Sequence, residues 1–176
     1  MNEARALFQR MDEYELALCM LCNRACRRPR IERTFALVSR LGDGVFWYAV
    51  MVVLPVLYGR TGLVASAHMA VAGGLGVTAY KLLKSRLVRQ RPFVTHGGIH
   101  RGTAPLDWYS FPSGHTLHAV AFCMVAVAYF AVLAWVLVPF AVAVALSRVV
   151  LGLHYPTDVL AGGAMGALLG GLVLLV

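Results

Sequence analysis

A chain of 176 residues has the length of one domain, but 60% of it is hydrophobic, 14% is charged and its mean hydropathy is +0.72. So few charges cannot cover a water-facing surface, which excludes an ordinary soluble globule. The formal net charge of +8 is carried by arginines and lysines in short segments between apolar runs, with no aromatic-interleaved basic face. That pattern excludes nucleic acid as a partner and fits anionic lipid headgroups.

Residues 1–43 differ from the rest, with eight arginines, six acids and apolar residues in short patches only. Met11 to Cys26 and Ile31 to Leu41 each pattern as an amphipathic helix that is too short to span a bilayer and suited to its interface. The opening MNEAR is not a basic n-region and no small-residue cleavage site follows, so a secretory signal is not expected. Cys19, Cys22 and Cys26 share a helical face, but no fourth ligand is in register and their neighbours are Leu, Met and Ala. With Cys123 they read as free thiols, giving neither a metal centre nor a disulfide framework.

From residue 44 the chain becomes a series of uncharged runs, at 44–59, 61–80, 116–147 and 159–176. The third, as one helix, would measure about 48 Å against a hydrocarbon core of roughly 30 Å. It must therefore turn, near residues 131–134. The expected fold is an all-α polytopic membrane bundle with five spans, approximately 44–60, 62–83, 114–131, 133–151 and 156–176. A sixth is added only if one lies within 13–43. Residues 1–43 form an amino-terminal interfacial segment and 44–176 the transmembrane domain. Gly73, Gly74 and Gly76, then Gly162, Gly163, Gly166, Gly170 and Gly171, allow helix backbones to approach closely in lipid.

Three polar clusters interrupt this pattern: KLLKSRLVRQRPF at 81–93, FPSGH at 111–115 and SRVVLGLHYPTD at 147–158. Ionisable groups beside membrane helices are costly and mark function. The first cluster follows the second span and the second opens the third. The third span descends and the fourth returns, so all three clusters share one membrane face. There Lys84, Arg91 and Arg148 concentrate positive charge, and the arginine fork matches phosphate oxygens. Ser113 suits an N-cap, leaving the amides of Gly114 and His115 free at a helix N-terminus, where anions bind. Asp158, four residues after His154, can fix its tautomer, making His154 a nucleophile toward phosphorus; His115 can protonate a leaving oxygen.

The pattern Lys84-x6-Arg91-Pro92, Pro112-Ser113-Gly114-His115 and Ser147-Arg148-x5-His154-x3-Asp158 resembles the tripartite signature of the type 2 phosphatidic acid phosphatase superfamily, over roughly residues 62–176. The resemblance implies a membrane lipid phosphatase. In it Lys84, Arg91, Ser113, Gly114 and Arg148 bind phosphate, His154 forms a phosphohistidine, Asp158 orients it and His115 is the acid. It implies no cofactor and no metal. The substrate would be a membrane lipid phosphate or diphosphate. Undecaprenyl diphosphate is favoured by the small extramembrane part. Phosphatidylglycerophosphate, phosphatidic acid and transfer to another lipid are the alternatives. Headgroup selectivity is expected in the 95–110 loop, which carries His96, His100, Arg101, Asp107, Trp108 and Tyr109. The oligomeric state is left open. The resemblance also implies a bacterial cytoplasmic (inner) membrane with the site on its extracytoplasmic face. The positive-inside pattern opposes that orientation, since Arg60 is nearly alone on the other side.

Overall fold

The computed structural model describes residues 3–176, and they are helical with no strand among them. In chain order the helices are α1 (Glu3–Asn23), α2 (Pro29–Gly42), α3 (Val45–Arg86), the short α4 (Pro92–Thr95), α5 (Gly114–Tyr129), α6 (Ala134–Val150) and α7 (Pro156–Val173). Single 3₁₀ turns at Arg24–Arg27 and Ala131–Leu133 join α1 to α2 and α5 to α6. The second is the reversal that the 32-residue apolar run requires.

α3 is two helical arms that fold back on one another at Gly59, whose φ of 58° and ψ of −131° lie outside helical space. Pro55 in the first arm has no N–H for the Met51 carbonyl, and the Ser66 hydroxyl of the second arm donates to that carbonyl at 2.7 Å. A polar group freed inside an apolar helix is thus satisfied by its antiparallel neighbour. Gly62 makes this approach possible, because a Cβ there would stand 2.0 Å from the Leu54 carbonyl oxygen.

α3, the segment Ala131–Val150 and α7 are long and apolar enough to cross a membrane, while α5 is apolar but shorter. With the two arms of α3, these supply the five apolar segments expected. Neither α1 nor α2 meets that length and hydropathy, so neither supplies a sixth.

α5 is central. α7 packs on it through a glycine stripe: a Cβ at Gly162 would lie 2.4 Å from the Ser113 oxygen, and one at Gly166 would lie 2.3 Å from the Leu117 oxygen. Gly163 and Gly171 face more open ground and make no such contact. Trp47, Leu54 and Met69 of α3, Phe122 and Val125 of α5 and Leu137 and Val144 of α6 form the main core. The Tyr129 hydroxyl meets His68 Nδ1 at 2.8 Å, tying the far end of α5 to α3.

α1 and α2 lie against the bundle, mostly on α6. Asn23 bridges the His100 and Val150 carbonyls at 2.8 and 2.9 Å, and Cys26 Sγ lies 3.1 Å from the latter. The four cysteines are unpaired, and Cys19, Cys26 and Cys123 are buried. Burial, with Glu15 next, pushes the Cys19 thiol up to about 12.

Candidate active site

The three polar clusters meet at one end of the bundle, around a cavity of about 720 Å³. Lys84, Arg91, Gly114, His115 and His154 line its polar end. Met51, Ala70, Gly73, Val77 and Phe122 continue it as an apolar wall between α3 and α5. The same cavity therefore joins a cationic head to a hydrocarbon-like flank.

His154 sits in the tight connection between α6 and α7 and is fully buried. The Arg91 Nη1 donates to its Nε2 at 3.1 Å and to the Leu153 carbonyl at 2.7 Å. Accepting there places the imidazole proton on Nδ1, which faces Asp158 Oδ2 at 3.6 Å. That distance exceeds a hydrogen bond, and Nδ1 has no closer partner. Burial first, then the charges of Arg91, Arg148 and Lys84, hold the His154 pKa well below 6.5 and keep the ring neutral.

Asp158 opens α7 behind His154. Its Oδ2 accepts the Tyr155 amide at 2.8 Å, an N-terminal box that Pro156 at the first helical position reinforces. Its Oδ1 takes Arg89 Nη1 at 2.5 Å. Arg89 also pairs with Asp12 at 2.6 Å and Glu15 at 2.8 Å, and its guanidinium stacks 4.0 Å over the Tyr155 ring. Burial disfavours that cation, but Asp158, Asp12 and Glu15 outweigh it and raise its pKa.

Lys84 and Arg91 grip one carboxylate between them. Asp107 Oδ2 lies 2.5 Å from Lys84 Nζ, and Asp107 Oδ1 lies 2.7 Å from Arg91 Nη2. Burial raises the Asp107 pKa, but the two cations prevail and lower it. A carboxylate thus bridges the two cations. On the opposite wall, Ser113 caps α5 through the Thr116 amide at 3.5 Å, with its hydroxyl 3.0 Å from Thr116 Oγ1. The Gly114 and His115 amides fall in the first turn, where no intrahelical acceptor exists. His115 Nε2 is hydrogen-bonded to Asp43, and Arg148 Nη1 to Ser39.

Every residue expected from the sequence is at this end of the bundle. Lys84, Arg91, Gly114, His115 and His154 reach the cavity; Ser113, Arg148 and Asp158 are buried just behind it. Leu106, Asp107, Trp108 and Tyr109 of the 95–110 loop line the mouth, whereas His100 pairs with Glu32 away from it. His118 lines the same cavity, with its Nδ1 2.8 Å from the Gly114 oxygen and its Nε2 3.2 Å from that of Gly73.

The family model described as "PAP2 superfamily" matches residues 65–176, nearly two thirds of the chain. The chain belongs to the PAP2 superfamily. Among its relatives is decaprenylphosphoryl-5-phosphoribose phosphatase of Mycobacterium tuberculosis, 34% identical over 151 residues that cover 83% of this chain and 80% of that protein. The undecaprenyl-diphosphatase BcrC of Bacillus subtilis is 30% identical over 126 residues, 70% of this chain and 64% of the relative. The crystal structure of Aquifex aeolicus LpxE superposes with a TM-score of 0.78 at 25% identity, covering 93% of this chain and 96% of that one.

Five polar residues around the site lie outside the PAP2 motifs: Arg89 with its partners Asp12 and Glu15, and Ser39 and Asp43 of the amino-terminal segment. For Arg89 the available signal is its place in the 81–93 cluster, two residues before Arg91. The acids of residues 1–43 carry none, because only the fold brings them 70 or more residues along the chain to their partners.

Proposed function

We propose that this PAP2 protein removes a phosphate from a lipid phosphate or diphosphate, without a metal, through a phosphohistidine on His154. The chain is a lipid phosphate hydrolase embedded in the membrane. What carries the reading is the shared cavity: a nucleophile, an acid and cations at one end, and an apolar wall running along α3 and α5 from it.

The chemistry follows from the atoms in place. The substrate phosphate replaces the Asp107 carboxylate between Lys84 and Arg91, with Arg148 and the Gly114 amide completing the cradle. His154 Nε2, which carries the lone pair, attacks phosphorus in line. Asp158 supports the positive charge that grows on the ring. The P–O bond to the lipid breaks and His115 gives the leaving oxygen its proton. Water then attacks the phosphohistidine, returns a proton to His115 and releases phosphate.

A polyprenyl diphosphate, undecaprenyl diphosphate first, is the favoured substrate. Two relatives carry polyprenyl substrates in their names, and the Leu106–Tyr109 rim leaves little extramembrane surface for reading a large headgroup. Residues 1–43 form an interfacial segment on the catalytic bundle of 44–176. The site faces the extracytoplasmic side of a bacterial cytoplasmic membrane.

The test is phosphate release by the purified protein in detergent, in EDTA, across polyprenyl diphosphate, phosphatidylglycerophosphate and phosphatidic acid. Release from the first, lost in His154→Ala along with an acid-labile phosphoenzyme, is the expected result. Full activity of His154→Ala would remove the nucleophile assignment, and label passing to a second lipid would make the protein a transferase. A carboxyl-terminal inside/outside reporter decides the face.

A further inference from the structure

The amino-terminal segment lies outside residues 65–176, yet α2 delivers two side chains to the centre of the site. Ser39 receives the Arg148 guanidinium, and Asp43, one turn later, receives His115. The position of Asp43 is fixed from both sides. Its amide closes the end of α2 on the Arg40 carbonyl. Gly44 then turns the chain at a φ of 133°, a backbone open to glycine, and its carbonyl accepts the Tyr48 amide to start α3. Gly42, beneath it, packs directly on Val144 of α6, where a Cβ would meet the valine methyls at 3.0 Å.

His115 otherwise faces cations and another imidazole: Arg148 from α6, Arg91 from the loop after α3 and His154 from the α6–α7 connection. Asp43 is the carboxylate that touches its ring among the described residues. It occupies Nε2; the ring lines the cavity, and its Nδ1 has no hydrogen-bond partner among the described residues. A ring held on one nitrogen by a carboxylate is fixed in orientation, and the imidazolium it must become is stabilised.

We propose that Asp43 is the positioning residue of the catalytic acid: with His115 it forms a second histidine–carboxylate pair, opposite His154–Asp158 and supplied by the amino-terminal segment. The inference rests on the acid role given to His115 above. In the first step the P–O bond breaks, the departing alkoxide or phosphate takes the His115 Nδ1 proton, and the neutral ring keeps its Nε2–H on Asp43. In the second, water forms the new P–O bond, the P–N bond breaks, and the water proton returns to Nδ1. Asp43 stays ionised throughout and touches no reacting atom.

General acid assistance matters for a poor leaving group and hardly for a good one, which gives the test. The full chain in detergent is assayed for kcat/KM on dodecyl phosphate and on p-nitrophenyl phosphate, as wild type, Asp43→Asn, His115→Ala and the double variant. With Asp43→Asn, dodecyl phosphate turnover should fall about 10–100-fold and nitrophenyl phosphate less than about 3-fold. The double variant should be no slower than His115→Ala alone. Asp43→Glu, which keeps the charge, should recover part of the loss. Equal losses on both substrates, or losses that add in the double variant, would show Asp43 to be structural and overturn the pairing. If His115→Ala itself affects both substrates equally, the acid assignment falls instead, and the pairing with it.

Discussion

Asp158 stands 3.6 Å from His154 Nδ1 while its other oxygen is held by Arg89 at 2.5 Å. The carboxylate is therefore positioned by α7 and Arg89 first, and reaches the histidine as a nearby charge. In the proposed attack His154 becomes positive, the attraction grows and the gap can close to a hydrogen bond. Asp158→Asn keeps an acceptor for the Tyr155 amide but removes that charge. We expect kcat/KM to fall about 10²–10⁴-fold with little change in KM, as for other carboxylates that support a catalytic imidazole. A variant within threefold of wild type would remove Asp158 from the chemistry.

Arg89, itself buried, holds three carboxylates from α1 and α7, of which Asp158 is fully buried and Asp12 and Glu15 are partly exposed. Removing the cation leaves all three without it. Arg89→Met should cost about 3–5 kcal/mol of stability, the range for breaking a buried pair from one side. Thermal unfolding in detergent reads it directly. The triple variant Arg89→Met, Asp12→Asn, Glu15→Gln should recover part of the loss, since two of the stranded charges are gone.

The fold and the site were legible to different depths. The five apolar segments, the turn at 131–133 and the Gly162–Gly166 seam follow from hydropathy and residue size, which act locally. The convergence of Lys84, Arg91, His115, Arg148 and His154 followed from counting spans, since helices that cross must return. Arg89–Asp12, Arg148–Ser39 and His115–Asp43 were not legible. Each joins the bundle to an amphipathic segment whose docking depends on tertiary packing against α6 and α7. Asp107 was visible only as one polar residue in a selectivity loop; that it closes on both Lys84 and Arg91 depends on the path of that loop.

At the α5–α7 seam the glycines have unequal roles. Gly166→Ala drives a methyl toward the Leu117 carbonyl oxygen at 2.3 Å, whereas at Gly163 the nearest atoms are side-chain methyls at 3.9 Å. We expect the first to lower the unfolding midpoint sharply, by about 1–3 kcal/mol or more in stability, and the second to be silent. Comparable midpoints for the two would mean that the helices do not approach as closely as described.

The proposed attack requires a neutral His154, and burial together with Arg91, Arg148 and Lys84 keeps its pKa well below 6.5. Selective ¹⁵N labelling should show its ring neutral at pH 6, where an exposed histidine is mostly charged. The sign for stability follows. Between the folded pKa and about 6.5 the unfolded chain binds the extra proton, so His154 lowers stability as pH falls through that window. A titration of its ring near 6.5 would contradict the proposed electrostatics.

Asp107 neutralises two cations at once: its carboxylate pairs Lys84 at 2.5 Å and Arg91 at 2.7 Å, the donors proposed to hold the phosphate. In the proposed binding mode, substrate competes with this tethered anion. Asp107→Asn keeps the size of the side chain and weakens that competition. Inorganic phosphate, as a competitive inhibitor, should then bind about 3–10-fold more tightly, a shift within the strength of one charge-assisted hydrogen bond. The alternative is that Asp107 holds the two cations in register for the phosphate, and inhibition would then weaken in the same variant. The measured direction of Ki separates a carboxylate that stands in for the substrate from one that builds its site.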